Sequence, residues 1–307
     1  ATYEGDLMAG AGVSYTLKRE GNAPYQETLN GVQFHPRFLP EVKWGKPGAS
    51  GRRQDGKGIW DRDLPLDPYV RQGDPKSGVL PLVQADTIGP VGSEAPGVQA
   101  YCYRLCLTTN ENNRIPITAP AGYDAKQYEL VARFIEACVA AGDELDLRWF
   151  SKHDPLPNAK WDFNTATFGG NLPGASWEWP EASWQRRGEI AKTHENYQRG
   201  LLHFLTHDAR VPPKVREQMQ AFGLCQDEFL DAGGWPHQLY VREARRMVSD
   251  FVMTEQHCTG QKVAPDSVGL ASYGIDVHEI RRVIRDGTVI REGKLASKVK
   301  GPYPIAY

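Results

Sequence analysis

Helical and strand periodicities both run through these 307 residues, yet nowhere in the strict strand–helix alternation that builds a doubly wound parallel sheet. Leu130, Val131, Phe134, Ile135, Cys138 and Val139 recur at helical spacing, which predicts a helix after the loop Pro120-Ala121-Gly122-Tyr123-Asp124. Ile190, His194, Tyr197, Leu201, Phe204 and Leu205 form a second stripe and predict a long helix over residues 181–208. Pro212-Pro213 closes it and opens a third, with Val215, Met219 and Phe222 inward. Residues 98–108 alternate like a strand through Tyr101, Tyr103, Leu105 and Leu107, and 145–150 read as another. Residues 282–291 read as a β-hairpin around Asp286-Gly287. The expectation is an α+β fold, a mixed or antiparallel sheet with several packed helices and long aromatic loops.

Those loops are placed at 36–98, rich in Gly, Pro, Asp and Arg, and at 153–183, which carries Trp161, Phe163, Phe168, Trp177 and Trp179. Residues 1–20 read as a short helix-like piece broken by glycines. A net charge of −2 gives no footprint for nucleic acid or a membrane surface, and no apolar run approaches the ~20 residues of a membrane span. Compartment and oligomeric state are not legible. The five cysteines do not suggest a disulfide scaffold; Cys102 and Cys106, on one face of the strand, read as small buried hydrophobes.

Few motifs survive comparison with the chemistry they would have to perform. Gly10-Ala11-Gly12 has no preceding strand and no third glycine at the right offset, so it is not a dinucleotide loop. His203 and His207 share a helix face, but Phe204 stands where a zinc protease carries its glutamate, and no metal is expected.

The run after Gly233-Gly234-Trp235-Pro236 is more informative. Read as a helix, it gathers Tyr240, Val241, Ala244, Met247, Val248, Phe251 and Val252 on one arc and Arg242, Arg245 and Arg246 opposite, with Glu243 and Asp250 spaced to pair with Arg246. An ordinary amphipathic helix with surface ion pairs satisfies this pattern. So does a helix whose guanidinium forks face a cleft and bind an anionic or carbonyl oxygen. Downstream, Asp276 and His278 are two apart and share a face if the segment is a strand. Such a pair suits general acid–base work, and equally a structural hydrogen bond.

Seven blocks in a fixed order then carry a resemblance: Tyr3-Glu4-Gly5-Asp6-Leu7-Met8, Asn30-Gly31-Val32-Gln33, Arg104-Leu105-Cys106-Leu107-Thr108, Pro120-Ala121-Gly122-Tyr123, Gly200-Leu201-Leu202, the 238–255 run and the 266–278 run. Across essentially its whole length the chain resembles the central part of bacterial FAD-dependent oxidoreductases, sometimes labelled xanthan-lyase-like, that accompany carbohydrate catabolism. The family's N-terminal GxGxxG segment and its C-terminal return to the flavin have no counterpart here. The resemblance therefore implies a fragment: residues 1–20 a remnant of the FAD-binding domain, 21–300 a substrate-binding (cap) domain, and 301–307 the start of the return.

It further implies a flavoenzyme, bound to FAD, that moves a hydride from a small alcohol- or sugar-like substrate to the flavin. The residue roles come from chemistry and motif position. His278 is the expected proton acceptor, oriented by Asp276. Arg242 and Arg246 are expected to hold substrate oxygens, with Tyr240 a hydroxyl contact. Gly5 and Asp6 match the stretch bordering the FAD site. The rival reading is a carbohydrate-binding or polysaccharide-lyase-type module that stacks sugars on Trp177, Trp179 and Trp184.

Overall fold

In the computed structural model the described residues are 4–17, 19–34, 65–85, 87–164, 166, 168–299 and 301–306. The expected loop over 36–98 therefore falls partly outside them. Five α-helices occur among these residues: α1 (Asp6–Gly10), α2 (Glu129–Ala140), α3 (Trp184–His207), α4 (Pro213–Gln220) and α5 (Glu255–Cys258). The strands are β1 (Tyr15–Thr16), β2 (Leu105–Thr108), β3 (Arg114–Ile115), β4 (His153–Leu156), β5 (Lys160–Phe163), β6 (Gly223–Cys225), β7 (Arg246–Met247), β8 (Ser267–Ala271), β9 (Ile275–Val277), β10 (Arg281–Arg285), β11 (Thr288–Glu292), β12 (Leu295–Ser297) and β13 (Tyr303–Ala306). No helix among them is long and apolar enough to cross a membrane.

The largest sheet has five strands in the order β3-β6-β2-β5-β4, every neighbouring pair antiparallel. With four further two-stranded ribbons, the fold is α+β as the periodicities require. Leu105 and Leu107 turn one face of β2 into a core shared with Leu130, Phe134 and Ile135 of α2, Leu201 and Phe204 of α3, and Val215 and Met219 of α4. Each such side chain, fully buried, contributes about 1.5–3 kcal/mol relative to exposure. Ser183 caps α3 by accepting from Arg186 N, and Pro213 starts α4 with its φ already set.

Helix α3 approaches the turn before α2 closely at Gly200. A Cβ there would lie 2.0 Å from the hydroxyl of buried Tyr128, whose ring stacks on Tyr123, Tyr197 and Phe204. The Tyr128 hydroxyl donates to Tyr197 O at 2.9 Å, so glycine is the residue that lets the helix pass. The hairpin β10–β11 pairs Arg285 with Thr288 across Asp286-Gly287, both left-handed (φ 50° and 72°), as a two-residue turn demands.

Three local expectations fail for identifiable reasons. Residues 145–150 are not a strand: the Asp146 side chain accepts from Arg148 N and caps a 3-10 turn at Leu147–Trp149. The 153–183 segment is not all loop, because β4 and β5 form a hairpin whose turn uses left-handed Asn158 and Ala159. The arginine run is not a helix. Leu239 and Val241 are buried while Tyr240 and Arg242 are half-buried, a period of two, and Tyr240 N donates to Cys102 O at 2.9 Å. The strand-like neighbour at 100–102 supplies backbone partners that a helix would have had to find internally.

Candidate functional site

An extended backbone sends neighbouring side chains in different directions, and the three arginines part accordingly. Arg242 points back to the 100–102 segment, where Nε donates to Ala100 O at 3.0 Å and Nη2 reaches Cys102 Sγ at 3.3 Å and Asn171 Oδ1 at 3.1 Å. Its Nη1 makes no bond to a described residue. Two guanidinium groups lie over the Tyr240 ring, Arg242 at 4.9 Å and Arg104 at 5.4 Å from its centroid.

Asn171, almost wholly buried, joins Arg242 to His278. Arg242 can only donate, so the Asn171 atom facing it is the carbonyl oxygen, and the amide N–H turns to His278 Nδ1 at 3.1 Å. Nδ1 is then an acceptor and the ring proton sits on Nε2. That nitrogen lies 3.7 Å from Asp276 Oδ2, too far for a full hydrogen bond, while Asp276 Oδ1 accepts from Lys294 Nζ at 2.9 Å. Strand pairing enforces the arrangement, since β12 lies against β9 with Leu295 opposite Val277. The His278 backbone N–H is tied to Gln99 Oε1 at 2.8 Å.

Burial, with Arg242, Lys294 and Arg291 as neighbouring cations, pushes His278 down to about 2. The ring is therefore a neutral Nε2–H donor throughout the working pH range. Burial lowers Lys294 as well, against the pull of Asp276. Arg104 is ion-paired with Asp162, and burial raises the Cys102 thiol.

Four of the residues singled out in the sequence, Tyr240, Arg242, Asp276 and His278, thus belong to one connected network. Arg246 does not join it. On β7 it pairs with Thr16 and its Nη2 binds Glu20 at 3.0 Å, whereas Glu243, expected beside it, accepts from Gln99 instead. Gly5 and Asp6 lie in a second cluster. Asp6 receives Arg187 in a fork at 2.7 and 2.8 Å and Arg245 at 2.6 Å, and these guanidinium groups hold its carboxyl down to about 2. Gly5 is left-handed (φ 63°), and a Cβ there would meet Arg245 Cβ at 3.1 Å. Asn171 and Lys294 were not recognisable in the sequence, each being a lone polar residue with no motif around it.

The tryptophans of the rival reading are differently placed. Trp177 and Trp179 pack against the core, Trp179 edge-on to Tyr101 at 6.2 Å. Only Trp184 of the three is open, and its ring carries the Arg187 guanidinium at 5.0 Å. His203 and His207 stack at 4.2 Å, and the described residues hold no His/Cys/Asp/Glu group arranged for a metal.

A family model described as FAD dependent oxidoreductase matches residues 1–307. No curated protein and no solved structure matches the chain.

Proposed function

The chain belongs to the FAD dependent oxidoreductase family, and on that premise we propose that it serves the oxidation of an alcohol- or carbohydrate-like small molecule, with residues 21–300 as the substrate-binding region. FAD is the cofactor the family implies. Neither of the two places that the sequence offered for it, Gly10-Ala11-Gly12 and Asp6, fits the pyrophosphate of that dinucleotide. Gly10-Ala11-Gly12 closes the C-terminal end of α1, where carbonyl oxygens rather than N–H groups are presented, and Asp6 is fully engaged by two arginines. The role proposed for the Arg242 network is the handling of substrate.

The observation that carries this reading is the convergence of Arg242, Asn171 and His278 through contacts of 3.1 Å. Arg242 Nη1 and His278 Nε2–H are both donors with bonding capacity to spare. A hydroxyl or carbonyl oxygen between them would be held and polarised by two fixed hydrogen bonds. Because His278 is neutral with its proton already on Nε2, it serves as an orienting donor. The group best suited to take up a substrate proton is Asp276, paired with Lys294 at the exposed side of the cluster. The carbohydrate association draws on the seven-block resemblance alone.

The test is a panel of alcohols, sugars and sugar acids offered to the FAD-loaded protein without oxygen, reading the bleaching of the flavin's visible absorbance. Arg242→Ala is expected to raise KM at least ~10-fold, the loss of one charged hydrogen bond of about 1.5–3 kcal/mol. Arg246→Ala is expected to leave KM within about twofold, as a surface-pair change does. Equal effects of the two substitutions would remove the site from the Arg242 network.

A further inference from the structure

A pair of thiols stands outside this network. Cys106 on β2 faces Cys225 on β6, one step along the register that pairs Leu107 with Leu224 and Thr108 with Gly223. Their sulfurs are 3.7 Å apart and share a hydrogen bond, and both thiols are free. Directly opposed residues of antiparallel strands have Cα atoms about 4.5–5.5 Å apart, inside the roughly 4.4–6.8 Å that a disulfide spans. The strands already hold the backbone where a bond would need it, and side-chain rotation closes the remaining gap.

The two sulfurs differ in access. Cys106 lies on the face of β2 that carries exposed Arg104, opposite the buried Leu105 and Leu107, and is itself partly exposed. Across β5 it faces Asp162, the partner of Arg104. Cys225 is buried and is flanked on its other side by Arg114 of β3. A small oxidant therefore meets Cys106 first, with Cys225 waiting behind it. Burial raises both thiols, Cys225 to about 12, so the dithiol is the resting form and oxidation runs through the small thiolate fraction of the more accessible Cys106.

We propose that Cys106 and Cys225 form a modification site, a dithiol that a hydroperoxide converts into a reversible cross-strand disulfide. The Cys106 thiol gives its proton to solvent and the thiolate sulfur attacks one peroxide oxygen; the O–O bond breaks, the leaving hydroxide takes up a proton as water, and a sulfenic acid remains on Cys106. The Cys225 sulfur then attacks the Cys106 sulfur. The S–O bond breaks and the hydroxyl leaves as a second water with the Cys225 proton. Two thiols lose two electrons in all, and one hydrogen peroxide becomes two waters. A small dithiol returns the pair by exchange.

The whole chain, treated with a small excess of hydrogen peroxide and checked by circular dichroism for an intact fold, provides the test. Its intact mass should fall by about 2 Da, the loss of two hydrogens. A non-reducing tryptic digest should then show peptide 105–114 joined to peptide 217–242, a species that a dithiol abolishes. Cys106→Ser and Cys225→Ser should each lack it, with the Cys225→Ser protein accumulating oxygen adducts on peptide 105–114. Oxygen adducts on Cys106 of the wild-type protein with no joined peptide would overturn the proposal, as would an unchanged mass.

Discussion

Replacing Asp6 with asparagine separates an anchor from a cofactor ligand. The carboxylate is shared by Arg187 and Arg245, whose side chains are only 6% and 8% exposed, so removing its charge leaves two buried guanidinium groups facing one another. Its folded value of about 2, against an ordinary 3.8, corresponds to about 2 kcal/mol of stability at neutral pH, at ~1.4 kcal/mol per unit. Breaking a fully buried pair costs about 3–5 kcal/mol, and Asp6 itself is 27% exposed, so solvent brings the expected loss to about 2–3 kcal/mol. In a chain of this size that is a fall in Tm of roughly 3–5 °C. Because the folded value is depressed, the contribution is complete above pH 3.8 and disappears as pH falls through about 2. Asp6→Asn should therefore lower Tm at pH 7 and flatten that acid step, measured by calorimetry and by denaturant titration across pH. If Asp6→Asn keeps the wild-type Tm and acid profile but loses flavin affinity, the carboxylate is a cofactor ligand and the anchoring argument is wrong.

Gly200→Ala should cost about 2–4 kcal/mol: overpacking against Tyr128 and the loss of its hydroxyl bond outweigh the ~1 kcal/mol of helix propensity gained. Adding Tyr128→Phe should recover part of that loss, and a double substitution less stable than Gly200→Ala would refute the close-approach argument. Burial holds His194 down to about 4 and His278 to about 2, so on unfolding both take up protons below pH 6.5. Stability should then fall as pH drops from 6.5, approaching about 2.7 kcal/mol per pH unit near pH 5 from these two alone. The histidine ring signals of the folded protein supply the check: a resonance of His278 titrating between pH 6 and 7 would contradict its neutral assignment.

The parts of this fold legible in the sequence are those where one short-range rule suffices. Stripes of Leu, Phe and Ile at helical spacing located α2, α3 and α4, and Asp286-Gly287 located a hairpin because few residue pairs enter the left-handed region together. The 239–247 run shows where such rules stop. Its composition fills a helical wheel convincingly, yet the alternation of buried Leu239 and Val241 with half-buried Tyr240 and Arg242 was the decisive signal. The outcome depended on a strand-like partner at 100–102, far away in sequence. Likewise Asp276 and His278 could be placed on one face from their spacing, but Asn171, the residue joining His278 to Arg242, carries no local mark.

The extended conformation of this run also changes what its arginines can do. On a helix, Arg242, Arg245 and Arg246 would share one surface and act together on one anion, repelling one another in its absence. On the observed backbone each has its own acceptors: Asn171 Oδ1 for Arg242, Asp6 and Glu181 for Arg245, and Glu20 for Arg246. One segment of five residues thereby ties the 4–20 stretch to Glu181, just ahead of α3, on one side and, through Asn171, to His278, just after β9, on the other. A displacement of the N-terminal stretch, through the Asp6 anchor, would shift Arg245 and, three residues away along a nearly inextensible chain, Arg242. The position of the Arg242 guanidinium, proposed above to hold a substrate oxygen, is thus tied through the backbone to the very stretch that the seven-block resemblance places beside the flavin.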